Sequence, residues 1–218
     1  MLANKIRMAA GAGTDLGPGP QTLLYGDMSA GYFGVVVADE ANFISMAELL
    51  SANYINFTNG TANTSNRDWL KFAWNNAILY VAQKTISYNV TWNQIAARGA
   101  IVGNSDSANL SIKGYNFKCR SLTGGATDNS GSRSASEWEN LIYGVHSGES
   151  PNWGSFNDET LLTHYNHGNG SYTWCQETAT ANSSQRVVRG YLGVSFWFRA
   201  SASSVGANYG FRPCLELL

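Results

Sequence analysis

Two stretches of this chain fix their backbone by local chemistry alone. At 69–84 the runs LKFAW and ILYVA flank Asn75, Asn76 and Ala77, and at 110–122 the sequence LSIKGYNFKCRSL turns at Lys113-Gly114. Asn and Gly accept the left-handed backbone of a tight hairpin turn, while β-branched and aromatic residues suit the pleated strands on either side. Two such hairpins commit the chain to a mostly antiparallel sheet. A further buried strand is expected at 32–38, YFGVVVA.

Helix signals are short. Ser45 with Glu48 makes a capping-box pattern ahead of Met46, Leu49 and Leu50. Thr91 with Gln94 makes another ahead of Trp92, Ile95 and Ala96, and Gly99 is placed to end that helix. The best helix is expected over 134–145, capped by Ser134 and Glu137, with Trp138, Leu141, Ile142 and Val145 on one face. Asn157 should cap a short helix at 160–163. Residues 56–67 read as a linker or long loop. From 147 to 184 Gly, Asn and Ser dominate and the chain reads as loops, with strands returning at Val187 and at 209–217.

A chain of 218 residues holds one generous domain plus an arm, or two small domains. All seven Trp lie between Trp69 and Trp197, so the first thirty residues are not expected to fold alone. Within them, AAGAGTDLGPGP at 9–20 reads as a flexible tether, because Gly raises chain entropy and Pro18 and Pro20 block regular hydrogen bonding. Gly11, Gly13 and Gly17 do not make a phosphate loop, since no strand precedes them and no helix starts across two prolines. The expected organisation is a flexible docking arm at 1–30, a strand–helix connecting segment at 31–66 and the main domain at 67–218.

Charged residues make up 13% of the chain, against about a quarter in an average domain. With net charge −1 and no dense Lys/Arg run, the footprint of a nucleic-acid partner is missing. No apolar run approaches the roughly 20 residues a spanning helix needs. The start, with Lys5 and Arg7, is not followed by an apolar signal region, so synthesis in a cytosol is expected. Cys119, Cys175 and Cys214 contain no CxxC pair and read as small buried thiols; a bridge, were one formed, would join Cys119 to Cys214, both in strand-like runs. The Asn-x-Ser/Thr triplets at 59–61 and 169–171 are what an Asn/Ser/Thr-rich chain produces by chance. His164 and His167 with Cys175 lack a carboxylate or second thiol at a familiar metal spacing, so they and His146 read as loop histidines. GxSxG, HExxH and Walker-type strings are all missing, and the expectation is a non-enzyme with no cofactor and no metal.

The segment RVVRGYLGVSFWFRASASSVGANYGFRPCLELL at 186–218 gives an RG step, an aromatic patch, a small-residue loop and a closing strand. Upstream in order stand GYFGVVVADE (31–40), DWLKFAWNNAILYVAQKTI (68–86), SEWENLIYGVH (136–146) and SYTWCQE (171–177). Together these blocks resemble tailed-phage virion structural proteins that end in GFRPxLEL or GWRPxLEL. Their C-type-lectin-like domain belongs to the formylglycine-generating-enzyme and phage tropism-determinant branch. The resemblance implies an α+β fold with a twisted antiparallel sheet, few short helices and long loops, preceded by an extended arm. It implies a virion structural protein decorating capsid or tail, present as a homo-oligomer or in several copies and held to other virion proteins through the arm. The alternative is an adsorption protein recognising a host surface glycan or protein.

The resemblance does not carry over the enzyme activity, which uses a closely spaced cysteine pair, because Cys214 has no cysteine within thirty residues. Nor does it carry over calcium-dependent sugar binding, because the EPN, QPD and WND strings are missing. In the tropism-determinant branch the window between the RG step and the last strand carries the ligand contacts. Here that window holds Tyr191, Phe196, Trp197, Phe198, Arg199, Asn208 and Tyr209. Strand alternation sends Phe196 and Phe198 to one face and Trp197 to the other, so part of the cluster is core, and the binding set is Tyr191, Trp197, Arg199, Asn208 and Tyr209. Arg212 and Glu216 are expected to fix the sheet edge by hydrogen bonds rather than touch a ligand.

Overall fold

The computed structural model describes residues 15–39, 41–51, 54–65, 67–128, 136–163 and 168–218. The strands are β1 (Tyr25–Gly26), β2 (Ala30–Val36), β3 (Thr61–Ala62), β4 (Trp69–Trp74), β5 (Ala77–Ala82), β6 (Ser87–Tyr88), β7 (Asn109–Ile112), β8 (Tyr115–Arg120), β9 (Tyr172–Thr178), β10 (Gln185–Gly190), β11 (Trp197–Ser201), β12 (Tyr209–Phe211) and β13 (Cys214–Leu217). They form two sheets rather than the single one expected, in the orders β1-β2-β4-β5-β13-β8-β7 and β11-β10-β9-β12-β6-β3. The helices are α1 (Met46–Leu49), α2 (Trp92–Ala97), a 3-10 turn Asp106–Ala108, a π-helical segment Trp138–Ile142 running into α3 (Tyr143–Val145), and α4 (Asp158–Leu161). The fold is α+β and mostly strand. Every named strand pairing is antiparallel but one, β9 beside β12.

Both hairpins form where the turn chemistry places them. Asn75 and Asn76 take φ of 49° and 66° between β4 and β5, and Lys113 and Gly114 take 54° and 82° between β7 and β8. Positive φ at both central residues matches the right-handed twist of the flanking strands. The first sheet is covered on both faces, which is why LKFAW and ILYVA are apolar runs rather than alternating ones. Trp69, Ala73, Ile78 and Tyr80 face a core shared with Tyr172, Trp174, Val188 and Phe211 of the second sheet. Leu70, Phe72, Leu79 and Val81 face a second core with Trp138, Leu141, Ile142 and Val145.

That helical stripe is therefore buried as its spacing predicts, but the cap differs. Ser134 lies outside the described residues. Ser136 Oγ accepts from the Glu139 amide at 3.4 Å and donates to its carboxylate at 3.0 Å, while Glu137 turns away to Arg120 and the Thr123 amide. The caps of α1 and α2 follow the sequence: Ser45 accepts from Glu48, and Thr91 and Gln94 close a reciprocal box, with Gly99 at φ 67° beyond it. Asn157 caps α4 through Thr160, so that helix starts two residues earlier than expected.

Three expectations are corrected. Residues 147–184 are not all loop, because β9 runs through them at the centre of the second sheet. The segment 31–66 is not a separate connector, since β2 pairs with β4 along its length and β3 pairs with β6. The arm expected at 1–30 is, from residue 15, bonded into the first sheet: Lys71 Nζ donates to the carbonyls of Gly17, Pro18 and Pro20 at 3.2, 2.9 and 2.7 Å. Tyr80 Oη donates to those of Leu16 and Pro18, Leu16 is buried, and β1 pairs with β2. This Pro- and Gly-rich stretch joins no strand ladder, so its carbonyls need side-chain donors, and a buried ammonium with three N–H groups satisfies them and is satisfied by them. Only residues 1–14, outside the described part, remain for an arm.

Candidate functional site

The RG step sets the geometry of the C-terminal window. Arg189, in β10, points away from the shared core and pairs with Glu139 of the π-helical segment, both side chains being buried. Gly190 follows at φ 93°, and a Cβ on it would stand 2.5 Å from the Ser171 carbonyl, so the position requires glycine. Tyr191 also takes a left-handed φ of 82°, which turns its ring back over the sheet. The chain then reverses through 191–196 and returns as β11, the outermost strand, in register Val188 with Phe198 and Arg189 with Trp197.

Alternation along 196–199 holds. On the face toward the shared core, the rings of Tyr191, Tyr172, Tyr209 and Trp174 stack in succession, with separations of 4.5, 5.4 and 5.0 Å. Phe196 and Phe198 lie beside Tyr172 at 6.2 and 6.1 Å. Stacked aromatic pairs of this kind add stability beyond the area they bury. The shelf becomes more open toward the rim, where Phe198 is 45% exposed. On the opposite face, Trp197 donates its indole N–H to the Gly125 carbonyl at 2.9 Å and packs on Cys175, Ala179 and Val187.

A cleft of about 480 Å³ follows this rim, lined by Ala126, Thr127, Asp128, Thr180, Ala181, Trp197, Phe198 and Arg199. Its floor is held by the Glu177 carboxylate, which accepts from the Gly124 and Gly125 amides, and by the Thr180 amide donating to Ala126. Of the five residues expected to bind, Trp197 and Arg199 border the cleft. Tyr191 and Tyr209 belong to the stack on the other face. Asn208 serves through its backbone, its carbonyl accepting from the Tyr172 amide at 2.7 Å. The set is thus divided between two faces of one sheet. Sequence reasoning missed Tyr172, the centre of the stack, although alternation of Tyr172 and Trp174 in SYTWCQE carried the signal.

The ionisable groups elsewhere are engaged structurally. Arg120 is bidentate to Glu137, at 2.8 and 2.6 Å, and also reaches Glu216 at 2.7 Å. Glu216 sits in β13, which is interior to its sheet, so the expectation that it fixes an edge is corrected. Arg212 likewise lies at no edge: it is fully buried, with its guanidinium 4.9 Å from the Trp138 ring and one bond to the Leu161 carbonyl. His146 Nε2 lies 3.5 Å from Asp158; His164 and His167 fall outside the described residues.

All three cysteines are free and buried. Cys119 faces the shared core and Cys214 the other, on adjacent strands in which Cys214 stands opposite Arg120, so the two thiols point to opposite sides of the sheet and no bridge joins them. Burial raises all three thiol pKa values, that of Cys214 to about 12. Among the described residues no group of three His, Cys, Asp or Glu is arranged to hold a metal ion, and no helix is long and apolar enough to cross a membrane. No family model, curated protein or solved structure matches this chain.

Proposed function

We propose that the chain is a non-enzymatic structural protein of a tailed-bacteriophage virion, decorating capsid or tail and presenting a C-type-lectin-like domain outward. The ordered sequence blocks over 31–218 support this reading, as does an α+β body whose closing strand β13 returns to the middle of the first sheet beside β5 and β8. In this reading residues 1–14 take the docking role, and the rim cleft is the outward contact surface.

The observation that carries the proposal is the rim of β11. Trp197, Phe198 and Arg199 are consecutive on an outermost strand and border an open cleft, while the strands behind them are fixed by a stacked aromatic core and a buried ion pair. Aromatic and Arg side chains on a rigid base give contact area at low entropic cost, which is how interfaces are anchored. The same chemistry also stacks on sugars, and this favours host adsorption as the second reading.

The double variant Trp197→Ala/Arg199→Ala distinguishes them in particles. Loss of incorporation identifies a contact with another virion protein. Normal incorporation with lost adsorption identifies a host receptor. Normal incorporation and normal adsorption together would overturn the assignment of this rim as a contact surface.

A further inference from the structure

The face of the second sheet turned toward the π-helical segment carries an unbalanced buried charge. Tyr172, Trp174, Tyr209 and Phe211 point into the shared core, so by alternation Ser171, Thr173, Gly210 and Arg212 point the other way. β9 and β12 run parallel with Gly210 beside Thr173, which sets Arg212 two residues further along that face. Three arginines are buried in this part of the protein. Arg120 is neutralised by Glu137 and Glu216, and Arg189 by Glu139. Arg212 has no carboxylate partner among the described residues; one amino group reaches the Leu161 carbonyl and the plane lies over Trp138.

Four buried polar atoms here lack any hydrogen-bond partner: Arg212 Nε and Nη1, Ser171 Oγ and Thr173 Oγ1. Two are nitrogens of the guanidinium itself, and the other two are hydroxyls on the same face of the sheet. Orphaned buried polar atoms cost stability unless something pairs them, and a lone buried cation is the most costly case. The two guanidinium N–H groups can only donate, the two hydroxyls can turn their protons toward a negative charge, and one positive charge is uncompensated, so the site favours an anion over a cation. Its burial, with Arg212 at 0% exposure, selects a small one.

We propose that Arg212, Thr173 and Ser171 form an internal monovalent-anion site, taking chloride or bromide, that neutralises Arg212. The anion is structural: it binds the folded protein and not the unfolded chain, so it stabilises by mass action.

Two measurements on the full chain test this. Thermal unfolding is compared in sodium chloride and sodium gluconate at equal ionic strength, and chloride is expected to raise the melting temperature by about 3–6 °C. Thr173→Val keeps the side-chain shape, removes one ligand and should abolish most of that increment. Arg212→Met, if it folds, should abolish all of it. In a crystal grown with sodium bromide, an anomalous peak is expected within hydrogen-bonding distance of Arg212 Nη1. Identical melting in the two salts, or water density without an anomalous signal at this position, would overturn the proposal.

Discussion

Arg189 and Glu139 form a buried ion pair that joins β10 of the second sheet to the π-helical segment packed on the first. Two residues earlier Glu137 holds Arg120 of β8. Two carboxylates, two residues apart, thereby tie a single short helix to both sheets. Removing one member of such a pair leaves an uncompensated buried charge. Arg189→Met is therefore expected to cost about 3–5 kcal/mol in urea unfolding, and Arg189→Met/Glu139→Leu clearly less than the sum of the single changes. Additive effects would show that the contact contributes nothing as a pair.

Glycine is required at 190 for two reasons and at 114 for one. Both have positive φ, but only at Gly190 does an added Cβ meet backbone, the Ser171 carbonyl; around Gly114 the space is open. Gly114→Ala should cost about 1 kcal/mol, while Gly190→Ala should cost at least about 2 kcal/mol and disturb the Tyr191 stack. Near-ultraviolet circular dichroism reads the second effect.

Lys71 anchors the chain start. Lys71→Met is expected to destabilise by about 2–4 kcal/mol and to speed proteolysis between residues 15 and 24, since the Pro20 carbonyl loses its donor and those of Gly17 and Pro18 keep only Gln21 and Tyr80. Burial pushes the Lys71 ammonium from 10.5 down to about 8, opposed by Asp15. Between about pH 8 and 10.5 the unfolded chain keeps this proton while the native one sheds it, so the contribution to stability rises with pH across that window. Burial raises the Tyr32 and Tyr80 hydroxyls well above the ordinary 10.0, so above pH 10 the native chain holds protons that the unfolded one loses, and stability falls again. A side-chain NMR titration with a Lys71 midpoint near 10.5 would contradict the first part.

With all three thiols buried and their pKa values raised, a thiol-specific reagent at pH 8 should label none of Cys119, Cys175 and Cys214 in the native protein and all three in denaturant. Labelling of Cys119 or Cys214 without unfolding would place a strand end in solvent.

What the sequence made legible was local. Asn75-Asn76 and Lys113-Gly114 announce their turns, and Thr91 with Gln94 its cap, because the residues that interact are three or fewer positions apart. The docking of residues 15–24 was hidden because its partners, Lys71 and Tyr80, are more than fifty positions away and bind backbone carbonyls, which composition does not reveal. β9 was hidden for a different reason. One of its faces carries Thr173 opposite Arg189 and Cys175 in a small cluster under Trp197, so the run looks like an irregular loop unless Tyr172 and Trp174 are read as a pair. The window 191–209 showed its residue types but not how the five named residues divide: Tyr191 turns back over the sheet through a positive φ, while Trp197 and Arg199 go to the rim.

The most direct test of the proposed role is an electron-microscopy map of tailed-phage particles purified from cells that make this chain. The account predicts density for it on the capsid or tail surface, with the β11 rim facing outward or against a neighbouring virion protein and residues 1–14 directed into the particle. Purified particles that lack the chain, while it accumulates as a free protein in the host cell, would contradict the account.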